Sequence, residues 1–221
     1  MAVGVDHVFY LVADLEAGRQ RMETLGFIAT PRGTHSENLG TQNYCFMFQT
    51  DYIELLAVRH STPLNAPFRT FLEDGDGLAT VALRTQDAPA DHHSLKAAGV
   101  SMCDPVEYSR PVPSQPGISA GVARFTSAWV AASETPGCHM FLCQHHTPHL
   151  LWPPDPPRHS NGALGLAALY LIVPEPDAEG IARTYHRLLQ PLQAAQGSAD
   201  HPQPPPAPAP APDTAPHPPS E

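Results

Sequence analysis

The amino-acid sequence predicts an α+β protein built from two tandem β-α-β-β-β modules and a truncated third β-α unit. The main observation is an internal repeat, because the segment that begins at Val5 resembles the segment that begins at Leu78, 73 positions further on. Both segments consist of an apolar strand, an acidic helix cap, a helix and a closing glycine. Each is followed by short apolar runs of strand length, so the two halves are expected to share one fold.

The first module spans residues 4–58 and opens with a predicted strand at Val5–Val12, in which side chains alternate between two faces. Asp14 can accept a backbone N–H at the start of the following helix, and Gly26 suits the position that ends it. Three further strands are predicted, with a polar loop over residues 34–40 and a tight turn at residues 50–51. These strands are Phe27–Pro31, Asn43–Gln49 and Tyr52–Val58.

The second module spans residues 78–146 and repeats this order with a longer insertion. Its helix is expected to begin at Asp87, with Pro89 in the first turn, where a missing N–H carries no penalty. A loop rich in proline and serine, Pro111–Gly121, separates the second strand from the last two. Those two strands are predicted at Val122–Ala131 and Cys138–His145. Together the two modules predict one domain over residues 3–153.

A third copy follows and stops after one strand and one helix. It comprises a predicted strand at Gly165–Val173, a turn at residues 174–177 and a helix to about Gln190. We expect residues 159–192 to pack on the domain as an extra β-α segment. The remaining residues, 197–221, are rich in proline and alanine and lack the apolar side chains that would offset their ordering entropy. This composition predicts a disordered tail with local polyproline II character.

The composition argues against several classes of partner. The 221-residue chain has a formal net charge of −10 and its single lysine is Lys96, which disfavours binding to nucleic acid or to an anionic membrane surface. No stretch approaches the roughly 20 apolar residues of a membrane span, and no signal peptide is recognisable. Four cysteines without a CxxC pair favour free thiols and a cytoplasmic setting.

Several short motifs carry a resemblance to a known group of proteins. They are DHVFYLVADLE at 6–16, LGF at 25–27, NYCFMF and DYIELL within 43–56, QHHTPHLLW at 144–152 and HSNGALGL at 159–166. Together they resemble the vicinal oxygen chelate superfamily and, within it, the bacterial glyoxalase-like domain subgroup, over roughly residues 3–190. The resemblance implies two half-barrels around a pocket, with metal ligands on the first and last strands of each module. One departure is His149, where the subgroup usually carries an acidic residue.

In the first module the resemblance places candidate metal ligands at His7 and Glu54, on the first and last strands. Imidazole and carboxylate suit Zn²⁺, Mn²⁺, Fe²⁺ or Ni²⁺, and Glu54 is also the candidate catalytic residue. Both residues lie in apolar strands, where a carboxylate is costly to bury unless it is paired or coordinated. The alternative is that His7 is a hydrogen-bonded core histidine and that Glu54 points to solvent.

The second module offers fewer ligands. Thr80, a poor ligand, occupies the first-strand position, and the last strand contains no counterpart carboxylate. Strand alternation puts His145 and His146 on opposite faces, so only one of them can reach the pocket. With Met140 taken as the counterpart of the first-module carboxylate, His146 shares its face and is the third candidate ligand. The alternative is that both histidines cap the strand end and bind backbone or water.

Two functions follow from these residues and the resemblance. The first is a metal-dependent enzyme of the lyase, isomerase or dioxygenase type that binds vicinal oxygens of a small substrate. A dioxygenase would need a 2-His-1-carboxylate triad, and Thr80 removes the expected second histidine. The second is a metal-free protein that binds or sequesters a small molecule in the same pocket. The strand edge of the third unit must be covered by this chain or by a partner, so a homodimer is also considered.

Overall fold

In the computed structural model, which describes residues 4–115, 117–154 and 156–194, the first module has the predicted order of elements. They are β1 (Val5–Leu11), α1 (Leu15–Thr24), β2 (Gly33–Thr34), β3 (Thr41–Met47) and β4 (Tyr52–Val58). A short helix, α2 (Ala66–Glu73), then leads to the second module. The Asp14 side chain accepts a hydrogen bond from the Ala17 N–H at 3.0 Å, which confirms the predicted start of α1.

The second module repeats the first element by element. It consists of β5 (Gly77–Thr85), α3 (Ala88–Ala97), β6 (Val106–Val112), β7 (Gly121–Trp129) and β8 (His139–His145). Its helix is capped in the same way, because Asp87 accepts a hydrogen bond from the Ala90 N–H at 3.0 Å. Gly26 and Gly99, which follow the two helices, have φ of +88° and +82°, the left-handed conformation that closes a helix. The repeat in the sequence is therefore a repeat in structure.

All eight strands form one sheet in the order β2-β3-β4-β1-β5-β8-β7-β6. The first and last strands of each module are parallel neighbours, and the antiparallel pair β1–β5 joins the two modules. The terminal strands β2 and β6 contact each other, so the sheet curls into a nearly closed barrel. This arrangement confirms the predicted α+β fold with two paired half-barrels.

The curled sheet has an inner and an outer face with separate cores. Aromatic side chains dominate the inner core, which includes Phe9 of β1 and Phe141 of β8. The outer core contains Val8 and Leu142, which are sequence neighbours of Phe9 and Phe141, together with Leu95 of α3. Because successive side chains of a strand point to opposite faces, the position of Phe9 also assigns His7 to the inner face.

The second strand of the first module is shorter than predicted and begins later. Phe27–Pro31 forms no strand, and pairing with β3 begins only at Gly33. The reason is that a distant side chain occupies a backbone donor that a sheet partner would need. The Ile28 N–H donates to His159 Nδ1 at 3.0 Å instead of to a neighbouring strand.

The third copy has its helix but not its predicted strand. The helix, α4 (Glu175–Ala194), packs Leu188 and Leu192 into the outer core beside α3. Gly165–Val173 joins no sheet in the described part of the chain, and most of its residues are exposed. The physical reason is that β2 and β6, the two edges of the sheet, already contact each other. The segment instead crosses outside the barrel, where the Leu166 N–H donates to Asp51 at 2.9 Å.

Helix α4 has 20 residues and is the longest helix among those described. Within the described ranges, no helix combines the length and the apolar character needed to cross a membrane. The predicted disordered tail, residues 197–221, lies outside the described residues.

The HSNG segment, residues 159–162, ties the chain after the second module back to the first. The ring of His159 is buried, and its Nδ1 accepts the Ile28 N–H, so Nε2 carries the proton and donates to the Met47 carbonyl at 3.1 Å. The Asn161 amide donates to the Leu25 carbonyl at the end of α1 at 2.8 Å. Both ring nitrogens are engaged, so His159 is a structural residue in a loop.

We expect His159→Ala to lower the free energy of unfolding by about 2 to 4 kcal/mol, because two backbone groups lose their partner and a cavity remains. His159→Gln should recover part of this loss, since its amide offers one donor and one acceptor side. Urea unfolding followed by circular dichroism measures the change, with His149→Ala at an exposed position as the control. Equal stabilities of the two alanine variants would contradict this role.

Candidate functional site

A cavity of about 400 Å³ lies on the inner face of the sheet and is lined by both modules. Much of its wall is aromatic. The aromatic residues include Phe9, Phe68, Phe125, Trp129 and Phe141. A few polar side chains share the lining, among them His7, His35, Glu54 and Arg110. An apolar cavity with a small number of polar groups is the usual form of a small-molecule site.

The parallel pairing of β1 with β4 brings His7 and Glu54 together inside this cavity. Both side chains are buried, and His7 Nε2 lies 3.8 Å from Glu54 Oε2. The His7 ring stacks on Tyr52 with 4.4 Å between ring centroids and 11° between planes, which fixes its orientation. The two ligands proposed for the first module therefore form one buried polar group, and Glu54 does not point to solvent.

Asp6 reaches the same group through a β-bulge. The register between β1 and β5 shifts between Val5 and His7, so Asp6 is the extra residue. Its fully buried carboxylate accepts hydrogen bonds from His7 Nδ1 at 2.7 Å, His145 Nε2 at 2.9 Å and Arg84 Nε at 2.8 Å. Burial by itself would raise the pKa of Asp6, but the hydrogen bonds from the two histidines outweigh it and hold the pKa well below its ordinary value.

The Asp6 carboxylate determines which nitrogen of His7 carries the proton. An ionised carboxylate only accepts hydrogen bonds, so in the neutral ring Nδ1 is the donor and Nε2 presents a lone pair. That lone pair faces the Glu54 carboxylate, which is also an acceptor. Two acceptors 3.8 Å apart repel each other unless a cation or a proton lies between them.

The other side of Glu54 is held by its own module. The Asn43 amide donates to Glu54 Oε1 at 2.8 Å, and a Cβ at Gly33 would lie only 2.1 Å from Asn43 Oδ1, so glycine leaves room for this amide. His35 Nε2 lies 3.9 Å from the same carboxylate oxygen. Burial lowers the pKa of His35, Glu54 opposes this shift and the Arg110 charge adds to it. A neutral imidazole is the form that binds metal ions.

A second group of potential ligands lies beside His7. The group consists of Asp6, His7, Cys143 and His145. Each residue offers one ligand atom, and any two of these four atoms lie within 4.8 Å of each other. Both histidines already donate to Asp6, whereas His145 Nδ1 is buried and has no hydrogen-bond partner among the described residues. Burial, with the charges of Asp6 and Glu54, raises the pKa of the Cys143 thiol well above its ordinary value, and a protonated sulfur is a poor metal ligand. This group therefore orients His7 and leaves the open position beside Glu54.

The third candidate ligand, His146, lies away from the other two. It is exposed just beyond the end of β8, where its Nε2 is hydrogen-bonded to Thr126 Oγ1 at 2.7 Å. His145 is the histidine that turns to the inner face, where it contacts Asp6. The histidine that turns to the inner face is therefore the neighbour of His146, and neither of the two is among the residues that line the cavity.

The difference arises from a shift of one residue in aligning the two last strands. The β1–β4 register pairs Phe9 with Glu54, whereas the equivalent β5–β8 register pairs Ala82 with Phe141. The structural counterpart of Glu54 is therefore Phe141 and not Met140. A shift of one residue exchanges the two faces of a strand, so taking Met140 as the counterpart favoured His146 over His145.

Four polar residues near the cavity were not identified from the sequence. Asp6 could have been identified from the sequence, because it lies in an apolar strand directly before a candidate ligand. A carboxylate is costly to bury in such a strand unless it has a partner. His35 and Asn43 belong to a polar loop and to a strand of mixed character, where nothing distinguishes them from neighbouring residues. Arg110 lies on β6, whose first-module counterpart β2 has only two residues, so the repeat offers no equivalent residue for comparison.

A nearly closed barrel of paired β-α-β-β-β modules, with a buried histidine and carboxylate facing its cavity, defines a protein of the vicinal oxygen chelate fold. A family model described as the glyoxalase-like domain matches residues 5–189, and the chain belongs to that family. This match confirms the resemblance carried by the sequence motifs. A comparison with curated proteins gives no match to this sequence.

Solved structures show the same fold at low sequence identity. A hypothetical protein from Staphylococcus aureus is 18% identical with a TM-score of 0.52, covering 64% of this chain and 58% of that chain. Methylmalonyl-CoA epimerase from Mycobacterium tuberculosis is 22% identical with a TM-score of 0.50, covering 65% of this chain and 88% of that chain. A Streptomyces coelicolor methylmalonyl-CoA epimerase variant, in complex with 2-nitronate-propionyl-CoA, is 19% identical with a TM-score of 0.50, covering 66% and 99%.

Proposed function

We propose that this protein is a metal-dependent enzyme that moves a proton on a small carbonyl compound with adjacent oxygens, a reaction of the isomerase or lyase type. The observation that carries the proposal is the 3.8 Å approach of His7 Nε2 to Glu54 Oε2 inside an aromatic cavity. Asp6 occupies the other nitrogen of His7, so this approach joins two acceptors. His7 and Glu54 would hold a divalent cation, whose charge would remove the repulsion between the two acceptors.

The donor atoms fit the proposed metal. His7 and Glu54 would hold the ion, and His35 supplies a further neutral imidazole within 4 Å of the same carboxylate. A nitrogen and oxygen donor set of this kind suits Zn²⁺, Mn²⁺, Fe²⁺ or Ni²⁺. Asp6 acts on His7 as carboxylates commonly act on metal-binding histidines, by fixing the ring orientation and its tautomer.

Each residue has a defined part in the proposed reaction. A bound divalent ion would supply Lewis-acid polarisation of the substrate carbonyl. Glu54 is the candidate general base, because its buried carboxylate borders the cavity and can receive a proton from a carbon beside that carbonyl. The Asn43 amide holds Oε1 and so keeps the carboxylate in one position. The aromatic wall excludes water from the reacting atoms.

The fold neighbours support the isomerase class as the first to test. Two of the similar structures are named as methylmalonyl-CoA epimerases. An epimerase moves a proton at a carbon beside a carbonyl, which is the task that a buried carboxylate and a Lewis acid can share. The identity to these proteins is too low to transfer a substrate, so the proposal names only the type of reaction.

A metal-free binding protein is the second candidate, and one observation favours it. Thr80 and Phe141 occupy the second-module positions that correspond to His7 and Glu54, so this module contributes no ligand there. Among the described residues His35 is the one further donor near the pair, so the three donors all come from the first module. The aromatic cavity would serve a binding protein equally well.

Proton exchange with solvent distinguishes these two functions. The full-length chain, supplied with Zn²⁺, is incubated in D₂O with a series of 2-oxo acids and acyl thioesters, and proton NMR follows the C–H signal beside the carbonyl. We expect exchange that Glu54→Gln slows about 10²- to 10⁴-fold, whereas Glu107→Gln, which changes another carboxylate of the same cavity, has little effect. Binding without exchange, or exchange unaffected by Glu54→Gln, would contradict the proposed enzyme.

A further inference from the structure

Arg110 places an uncompensated positive charge in the wall of the cavity. It lies on β6, is partly buried and lines both the main cavity and a small cleft beside it. Several other arginines of this chain have carboxylate partners, such as Asp6 for Arg84 and Glu16 for Arg32. Among the described residues, no ion pair forms with Arg110. A partly buried guanidinium without a carboxylate partner is well suited to receive an anion from a ligand.

The position of this charge relates it to the proposed reaction centre. A Cβ at Gly33 would lie 2.1 Å from Asn43 Oδ1 and 3.5 Å from Arg110 Nη1, so Arg110 lies beside the amide that donates to Glu54. Arg110 and Glu54 also line the same cavity. One small molecule can therefore contact Arg110 and Glu54 together.

The rest of the cavity indicates what the ligand must look like. Tyr108 stacks on Phe125 with 4.9 Å between centroids, and Trp129 stacks on Phe141 at 4.4 Å, so the walls are flat and apolar. The acidic side chains in the lining are Glu54 and Glu107, and neither forms an ion pair with Arg110 in the described structure. A ligand with an apolar body and one anionic group matches both the walls and the charge.

We propose that Arg110 is an anion-binding residue and that the natural ligand is a small organic acid with an apolar body. The acid group binds the guanidinium, and the apolar body lies between the aromatic side chains. The orientation of the remaining oxygens toward Glu54 rests on the proposed function, whereas binding of the acid group at Arg110 does not. This assignment makes Arg110 a residue that determines specificity.

Paired probes of equal size test the assignment. Isothermal titration compares 3-phenylpropanoate with the neutral 3-phenylpropanamide on the full-length chain, with a chelator present so that no metal ion can attract the acid. We expect the wild type to bind the acid at least about tenfold more tightly than the amide, a difference of about 1.4 kcal/mol. Arg110→Ala should remove this preference and Arg110→Lys should keep part of it, because lysine retains the charge but not the planar fork.

Two controls keep the result interpretable. Arg124→Ala removes an exposed arginine outside the cavity and should behave as the wild type. Arg110→Gln keeps part of the side-chain length without the charge and replaces the alanine variant if that variant does not fold. An absence of preference in the wild type, including a failure to bind either probe, would overturn the assignment, as would an unchanged preference in Arg110→Ala. Failure of the metal proposal appears separately, as a lack of metal binding, and leaves this comparison intact.

Discussion

Replacing His7 by alanine or Glu54 by glutamine is expected to weaken Zn²⁺ binding more than about 100-fold. Loss of an outer hydrogen-bond partner already weakens metal binding about 10- to 100-fold, and these substitutions remove the proposed ligands themselves. The physical reason is the pairing of two acceptors at 3.8 Å, which only a cation or a proton satisfies. Glutamine keeps the shape of Glu54 and its contact with Asn43, so the substitution isolates the charge.

Equilibrium dialysis of Zn²⁺ against the full-length chain, prepared without an affinity tag of histidines, measures this effect. His146→Ala and Glu107→Gln are the matched controls, because one removes an exposed neighbour of the inner-face histidine and the other a carboxylate of the same cavity. His201 and His217 remain in every variant, so any background from the tail cancels. If His146→Ala weakens Zn²⁺ binding as much as His7→Ala does, the proposed site is wrong.

Asp6→Asn is expected to have the second largest effect, on metal binding and on stability together. Asparagine can still accept from the two histidines through one oxygen, but its NH₂ group then meets the Arg84 donor. Because Arg84 is partly exposed, we expect a loss of about 1 to 3 kcal/mol in the free energy of unfolding. The His7 tautomer is no longer fixed by a charge, so Zn²⁺ affinity should fall about 10- to 100-fold.

Urea unfolding and the same dialysis measure the two effects on one preparation. Asp76→Asn is a suitable control. Like Asp6, Asp76 accepts a hydrogen bond and contacts an arginine, but it lies outside the cavity. A loss of stability without a loss of Zn²⁺ affinity would show that Asp6 is structural and does not position His7.

The fold could be predicted from the sequence because its information is local and repeated. Asp14 and Asp87 each begin a helix, and Gly26 and Gly99 each end one, so two independent segments give the same result. The strand predicted at Gly165–Val173 does not form, so local patterns were not sufficient for this segment. An apolar segment becomes a strand only if a sheet edge is free, and the closure of the barrel between β2 and β6 is not visible in a local pattern.

The candidate site could be predicted only in part, for reasons that are also physical. His7 and Glu54 were accessible because each lies in an otherwise apolar strand. The choice between His145 and His146 needed the register of β8, because strand alternation assigns faces only once the register is known, and the register depends on pairing. Asp6 was missed because a bulge breaks the alternation at that point.

The two modules share a backbone but differ at the positions that face the cavity. The first supplies His7, His35 and Glu54, whereas the second supplies aromatic side chains and Arg110. In the proposed function this division is useful, since one half would hold the ion and the other would bind the organic part of the ligand. The repeat thus accounts for the architecture, and the differences between its copies account for the chemistry of the cavity.

Anomalous diffraction from crystals of the full-length protein soaked with Zn²⁺ tests the proposed metal site most directly. We expect one strong anomalous peak in the cavity, about 2.0 to 2.2 Å from both His7 Nε2 and a carboxylate oxygen of Glu54. A strongest peak bonded to Cys143 and His145 would contradict the proposed site, and so would crystals in which no peak lies beside His7 and Glu54.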